Sequence, residues 1–261
     1  MGIALQGIDA AIVDLDGTMV DTLGDFEVAL NRMLADCALP PVGRSFIERA
    51  VGKGSEHLIA QTLAFIKNTG NVSVKRSYCA INNIVNATPT GMPHTKASHM
   101  AQSTTGHVSV DPVFPSLEQA LASYQSHYLA INGQFSAVYP GVREGLEALL
   151  ARGLKLACLT NKPIAFAMPL LQAKGLSGYF SHTYGGDAFA RKKPDPLPLL
   201  ETCKALGTLP ARTLMIGDSS NDALAARAAG CPVVLVTYGY NHGAPIRAVD
   251  ANGFVDSLLS I

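Results

Sequence analysis

Apolar and polar positions alternate with different periods in different parts of this chain, and the changes of period mark its elements. Ile8 to Val13 is an apolar run interrupted by one Asp, the length of a short buried strand. Beyond Thr22, Phe26, Leu30, Met33 and Leu34 recur at helical spacing, with Asp21 or Asp25 placed to cap the start. Leu39-Pro40-Pro41-Val42-Gly43 stops that helix. Ser45 to Ala50 predicts a short helix, Val51-Gly52-Lys53-Gly54 a turn, and Ser55 an N-cap for a helix from Glu56 to Phe65. Leu117 to Ile131 is helical again, with Leu117, Ala120, Leu121, Tyr124 and Tyr128 on one face.

From Val142 the pattern becomes a regular alternation. Helix is predicted over 142–150, strand over 154–159, helix from about Pro163, and a short strand over 182–184. A helix ending at Leu206 follows Pro196, then a strand over 213–216, an Ala-rich helix over 223–229 closed by Gly230, and strands over 233–236 and 253–255. Strands separated by helices with short loops imply a parallel sheet covered on both faces, a doubly wound (Rossmann-like) α/β core. Residues 1–21 and 139–261 would form that core, and residues 22–138 a small helical domain inserted after the first strand. In such sheets ligands bind outside the carboxyl ends of the strands. Asp14, Thr160 and Asp218 each follow an apolar strand directly, so the fold gathers them at one edge.

The stretch from about residue 67 to 115 departs from this pattern. It holds no Leu, is rich in Ser, Thr and Asn, and carries Pro89, Pro93, Pro112 and Pro115. It reads as an irregular or mobile part of the insertion, with a short element possible over 78–85, or as a locally altered reading frame. His94, His99 and His107 fall here at a spacing that matches no zinc site.

Composition narrows the function. Hydrophobic residues are 48% of the 261 and charged residues 15%, which suits a well-buried α/β protein. Lys+Arg and Asp+Glu both number 20, so no charge bias points to nucleic acid or an acidic membrane. No apolar run is long enough to span a bilayer. The five cysteines are scattered with no C-x-x-C pair, and Cys158 sits in a strand as a small core residue. With no basic, apolar leader pattern at the start, the expectation is a soluble, cytoplasmic protein.

The chemistry concentrates at Asp14-Leu15-Asp16-Gly17-Thr18. Two carboxylates two residues apart point the same way if the strand continues to Asp16. Their repulsion is relieved by a cation, and oxygen ligands of this kind suit Mg²⁺. Three later segments carry related chemistry. Thr160-Asn161 ends a strand, Lys193 precedes Pro194, and Gly217-Asp218-Ser219-Ser220-Asn221-Asp222 ends another strand.

These four segments, in this order, resemble the haloacid dehalogenase-like hydrolases from Asp14 to Asp222. The resemblance implies a phosphoryl-transfer enzyme with Asp14 as nucleophile and Asp16 as general acid and base. Thr160 and Asn161 would hold a phosphoryl oxygen, and Lys193 would offset charge, with Lys192 as the fallback if the register slips. Asp14, Asp16 and Asp218 would bind Mg²⁺, and Asp222 would orient its water shell or Lys193. An insertion between the first two segments matches the branch with a helical cap. Within that branch the chain is most similar to bacterial phosphoglycolate phosphatases, through Thr160-Asn161-Lys162-Pro163, Gly185-Gly186-Asp187, Lys192-Lys193-Pro194-Asp195-Pro196 and Tyr238-Gly239-Tyr240-Asn241. The expected partner is then a small phosphate monoester, with Lys53 and Gly54 of the cap turn meeting its carboxylate. The alternatives are a sugar-phosphate phosphatase, a β-phosphoglucomutase-like phosphotransferase, a phosphonate-cleaving relative with a cap lysine, and a receiver-like or non-catalytic binding module.

Overall fold

A computed structural model describes residues 6–69 and 114–261. Most of the irregular segment expected over 67–115, including the short element over 78–85 and the three histidines, lies outside the described residues. Where the two overlap, Lys67 and Asn68 are helical and complete the third helix.

Six strands form one parallel sheet. They are β1 (Ala10–Val13), β4 (Lys155–Leu159), β5 (His182–Tyr184), β6 (Thr213–Gly217), β7 (Val233–Val236) and β8 (Gly253–Val255). Their order is β5-β4-β1-β6-β7-β8. β1 is therefore central, pairing Ala11 with Leu156 on one side and with Leu214 on the other. From β1 the sheet grows outward through β4 and β5 in one direction and through β6, β7 and β8 in the other. The carboxyl ends of β1, β4 and β6 thus flank the point where the winding reverses, which is where such sheets open a crevice.

Both faces of the sheet are covered. Ala11 and Val13 pack with α5 (Val142–Ala151) and α6 (Ile164–Ala173) on one face. Ala10 and Ile12 face the other side, with α7 (Leu197–Leu206) and α8 (Ser220–Ala229). Burial on both faces is why these strands read as continuous apolar runs rather than as alternating ones.

The remaining helices share a core of their own. These are α1 (Leu23–Asp36), α2 (Arg44–Ala50), α3 (Ser55–Asn68) and α4 (Leu117–Ile131). Phe26, Leu30, Met33 and Leu34 of α1 meet Tyr124 and Tyr128 of α4, which are both fully buried. Burying each such side chain stabilises the group by about 1.5–3 kcal/mol. The chain enters and leaves this helical group through a two-stranded antiparallel ribbon, β2 (Val20–Asp21) and β3 (Ala137–Val138). The sequence pattern does not predict that ribbon, because two residues per strand carry no period.

Three local expectations change. β1 stops at Val13, so strand geometry does not continue to Asp16. Gly17 takes φ +81° and turns the chain, and Asp16 retains only an isolated bridge to Val20. Gly54, at φ +92°, is the N-cap of α3, with Ser55 inside the helix. Thr22, and neither Asp21 nor Asp25, is the N-cap of α1; Asp21 Oδ1 accepts from Leu23 N at 3.2 Å just before the helix. Asp25 is fully buried and accepts from Gly133 N (2.9 Å) and Phe135 N (2.7 Å), tying α1 to the segment before β3.

Asp25→Ala strips two backbone N–H groups of a charged acceptor. Urea unfolding should show a loss of about 2–4 kcal/mol, as expected for charge-assisted bonds to partly buried donors. A loss under about 0.5 kcal/mol, the range of an ordinary surface change, would contradict this role.

Candidate active site

The ends of β1, β4 and β6 carry the site. Asp14 follows β1, Thr160 follows β4 and Asp218 follows β6, and all three are buried. With Lys193 and Asp222 they line one cleft, which Gly52, Gly54 and Phe26 border from the helical side.

At its floor, one oxygen each of Asp14, Asp218 and Asp222 lie within 4.8 Å of one another. A single ammonium sits against two of them. Lys193 Nζ is 2.9 Å from Asp14 Oδ1 and 2.7 Å from Asp222 Oδ1, and it donates to Leu159 O at 2.9 Å. Burial alone would pull this lysine's pKa down. The carboxylates of Asp14 and Asp222 outweigh burial and hold it well above its ordinary value, so it stays charged.

The carboxylates respond in the opposite sense. Burial pushes Asp14 up to about 7, Lys193 restrains the rise, and Asp222 and Asp16 add to it. Burial, then Asp222 and Asp14, push Asp218 well above the carboxylate range. One positive charge among three buried negatives leaves the group under-neutralised. Asp14 Oδ1 is also buried without a donor in hydrogen-bonding geometry. An oxygen donor set of three clustered carboxylates with excess negative charge fits a hard divalent cation.

The surrounding hydrogen bonds assign different tasks to the two later carboxylates. Asp222 is committed within the protein. Its Oδ2 accepts from Asp218 N (3.3 Å), Ser219 N (3.1 Å) and Ser219 Oγ (2.8 Å), and its Oδ1 takes Lys193. Asp218 accepts from Thr18 Oγ1 (3.1 Å) and Tyr240 N (2.7 Å). The close approach depends on glycine. A Cβ on Gly239 would sit 2.1 Å from Asp218 Cβ, and one on Gly217 would sit 2.4 Å from Asp222 Cγ.

Asp16 lies apart from this group. Its carboxylate pairs with Lys162 Nζ at 2.9 and 3.2 Å and is not a member of the three-acid cluster. Strand geometry ends at Val13, so a period of two does not set the relation between the two carboxylates, and both line the cleft. Thr160 Oγ1 accepts from Lys162 N at 3.2 Å at the cleft wall. Asn161 is a strut: its Nδ2 donates to Lys193 O (2.8 Å) and to Gly52 O of the cap turn (3.0 Å). Lys53 is exposed and does not line the cleft, while its neighbours Gly52 and Gly54 do. Lys192 Nζ would lie 2.9 Å from a Cβ on Gly54, so the fallback lysine sits at the rim rather than at the floor.

Sequence reasoning missed several residues here. Thr18 and Tyr240 fix Asp218, and Asn221 donates to Gly52 O at 3.2 Å. His242 reaches Asn221 at 3.1 Å and is held below its usual pKa by burial and then by Lys53. Burial, Lys53 and Lys192 lower His57 in the same way, so the rim carries a positive field suited to an anion. Lys162 was visible in Thr160-Asn161-Lys162-Pro163, but nothing in that string foretells its partner.

Millimolar Mg²⁺ should raise the melting temperature of the wild type by several degrees, because a ligand that binds only the folded state stabilises it. Asp218→Asn removes one unbalanced charge. That variant should be at least as stable as the wild type without Mg²⁺ and should not respond to it. An undiminished response would place the cation elsewhere.

A family model for haloacid dehalogenase-like hydrolases matches residues 8–230. Among curated proteins, a phosphoglycolate phosphatase of Thiobacillus denitrificans is 37% identical over 96% of this chain and 92% of its own length. A plasmid-encoded phosphoglycolate phosphatase of Cupriavidus necator is 36% identical over 95% and 89%. Among solved structures, a Haemophilus somnus protein described as a predicted phosphoglycolate phosphatase superposes with a TM-score of 0.77 at 28% identity, covering 97% of this chain and 96% of that one. With its sheet order, its acidic cluster at the strand ends and this full-length similarity, the chain belongs to the haloacid dehalogenase-like hydrolase family.

Proposed function

We propose that the chain is a Mg²⁺-dependent phosphatase that converts 2-phosphoglycolate to glycolate and phosphate through an aspartyl-phosphate. The observation that carries the chemistry is the Asp14 carboxylate, buried in the cleft with the Lys193 ammonium 2.9 Å from its Oδ1 and carboxylate oxygens of Asp218 and Asp222 within 4.8 Å. That ion pair offsets the charge of a nucleophile placed beside a cation site. The choice of substrate is supported by the names of the relatives and by the basic rim.

The difficulty in phosphate-ester hydrolysis is bringing an anionic nucleophile to an anionic phosphorus. Lys193 lowers that barrier by offsetting the charge of Asp14 and the phosphoryl group. Mg²⁺ held by Asp14 and Asp218 would supply further positive charge at the phosphoryl oxygens. Asp222 sets the position of Lys193, and Thr160 presents its hydroxyl to a phosphoryl oxygen. In the first half-reaction Asp14 forms a bond to phosphorus, the bond to the glycolate oxygen breaks, and Asp16 gives that oxygen a proton. In the second, Asp16 takes a proton from water, the water oxygen bonds to phosphorus, and the Asp14 carboxylate is released. Asn161 holds the turn carrying Gly52, Lys53 and Gly54 against Lys193, so that this turn borders the substrate's carboxylate. Helices α1–α4 act as a cap that excludes bulk water.

Phosphate release should be measured with 2-phosphoglycolate, ethyl phosphate and glucose phosphates, with and without Mg²⁺. The expected result is Mg²⁺-dependent hydrolysis favouring 2-phosphoglycolate, abolished by Asp14→Asn. Lys53→Met should weaken 2-phosphoglycolate hydrolysis more than ethyl phosphate hydrolysis, by about 2- to 5-fold, through the positive charge it places near the rim. Equal losses would reject the Lys53 role. Conversion of one glucose phosphate to another without phosphate release would replace the hydrolase reading with a mutase.

A further inference from the structure

Lys162 is a buried cation in the cleft that the chemistry above does not use. Its side chain is 3% exposed. Nζ donates to both Asp16 oxygens, at 2.9 and 3.2 Å, and to Tyr128 Oη at 2.7 Å. It also lies 4.6 Å from the ring centroids of Phe26 and of Tyr128. The ammonium therefore sits between Asp16, on the loop after β1, and two aromatic rings from α1 and α4. The Phe26 ring attracts the cation, and the Tyr128 oxygen accepts one of its hydrogens.

The arrangement restrains Asp16. A carboxylate on a turn beyond the end of a strand has little else to fix its rotation. Contact with both oxygens fixes it, provided the ammonium itself cannot swing away. Phe26 and Tyr128 close the space into which it would swing. Two helices of the inserted group thus complete a support whose far end is a residue of the core.

We propose that Lys162 is a positioning residue for Asp16, seated by Phe26 and Tyr128, so that Asp16 is held in its working orientation while α1 and α4 cover the sheet edge. This rests on Asp16 being the group that moves the proton, as in the reading above. Lys162 makes no contact with substrate in this account. Its effect is on turnover, through the carboxylate it holds, and is independent of what the leaving group carries.

The test is steady-state kinetics of Lys162→Met, Lys162→Arg, Tyr128→Phe and Lys162→Met/Tyr128→Phe on 2-phosphoglycolate and ethyl phosphate, with Asp16→Asn as reference and folding checked by thermal melts. Lys162→Met should lower kcat about 10- to 100-fold on both substrates, part of what a positioned acid–base group supplies, with KM changed less than about 3-fold. Lys162→Arg should recover part of kcat. Tyr128→Phe should lower kcat less, and should add nothing in the Lys162→Met background, since the two act through one contact. Three results would overturn the inference. One is an unchanged kcat in a Lys162→Met variant that merely melts earlier. Another is a KM increase confined to 2-phosphoglycolate, which would make Lys162 a carboxylate-binding residue. The third is additive losses in the double variant. Should Lys162→Met fail to fold, Lys162→Arg and Tyr128→Phe decide, and a wild-type kcat in both would overturn the inference. If Asp16→Asn keeps wild-type activity, the proton-transfer reading falls and takes this inference with it. If Asp16→Asn is inactive while Lys162→Met turns over normally, only this inference fails.

Discussion

Three carboxylates and one ammonium, buried together at the ends of three strands, constrain the structure more than any other interaction. Such a group is costly, because removing charge from water is repaid only by close and well-satisfied partners. The protein supplies them locally. Asp222 spends both oxygens on backbone, Ser219 and Lys193. Asp218 is held from the β1 side by Thr18 and from beyond β7 by Tyr240. Asp14 Oδ1 has the Lys193 ammonium, 2.9 Å away, as its close partner. The excess negative charge that makes the cluster expensive also makes it receptive to a cation and, beside it, to a phosphoryl group.

The topology turns three distant parts of the chain into one site. β1 at the centre of the sheet places Asp14 between the ends of β4 and β6. The loop carrying Lys193 then closes under the cluster. The helical group meets the sheet edge from the other side. Gly52 O is held by Asn161 and Asn221, and Lys162 reaches up to Tyr128. Phe166 of α6 and Tyr240 join the apolar core of these helices, so apolar as well as polar contacts seat them over the strand ends.

Much of this was legible beforehand because it is written in period and punctuation. β6 and β7 are apolar runs, and α4 spans Leu117 to Ile131 as read, burying Ala120, Tyr124 and Tyr128 of its predicted face while Leu117 at its first turn is exposed. Asp14, Lys193 and Asp218 were readable because each stands beside a strand end or a proline that fixes its surroundings. Other features have no local signal. The direction of the Asp16 carboxylate depends on a turn at Gly17 that strand periodicity ignores. Asp25 looks like a helix cap, yet its partners, Gly133 and Phe135, lie more than a hundred residues away. Lys162 resembles any lysine after a strand, and its environment exists only once α1 and α4 fold over it. Lys53 drew attention because it is a cation in a glycine turn, while the structure turns the backbone of that turn toward the cleft and the side chain toward solvent.

The central claim is that Asp14 takes the phosphoryl group within this buried acidic cluster. Its most direct test is acid quenching during turnover of 2-phosphoglycolate, followed by peptide mass spectrometry. The account predicts a phosphoryl group on the peptide carrying Asp14, present only with Mg²⁺ and absent in Asp14→Asn. Full turnover with no phosphorylated peptide, or with the phosphoryl group on another residue, would contradict it.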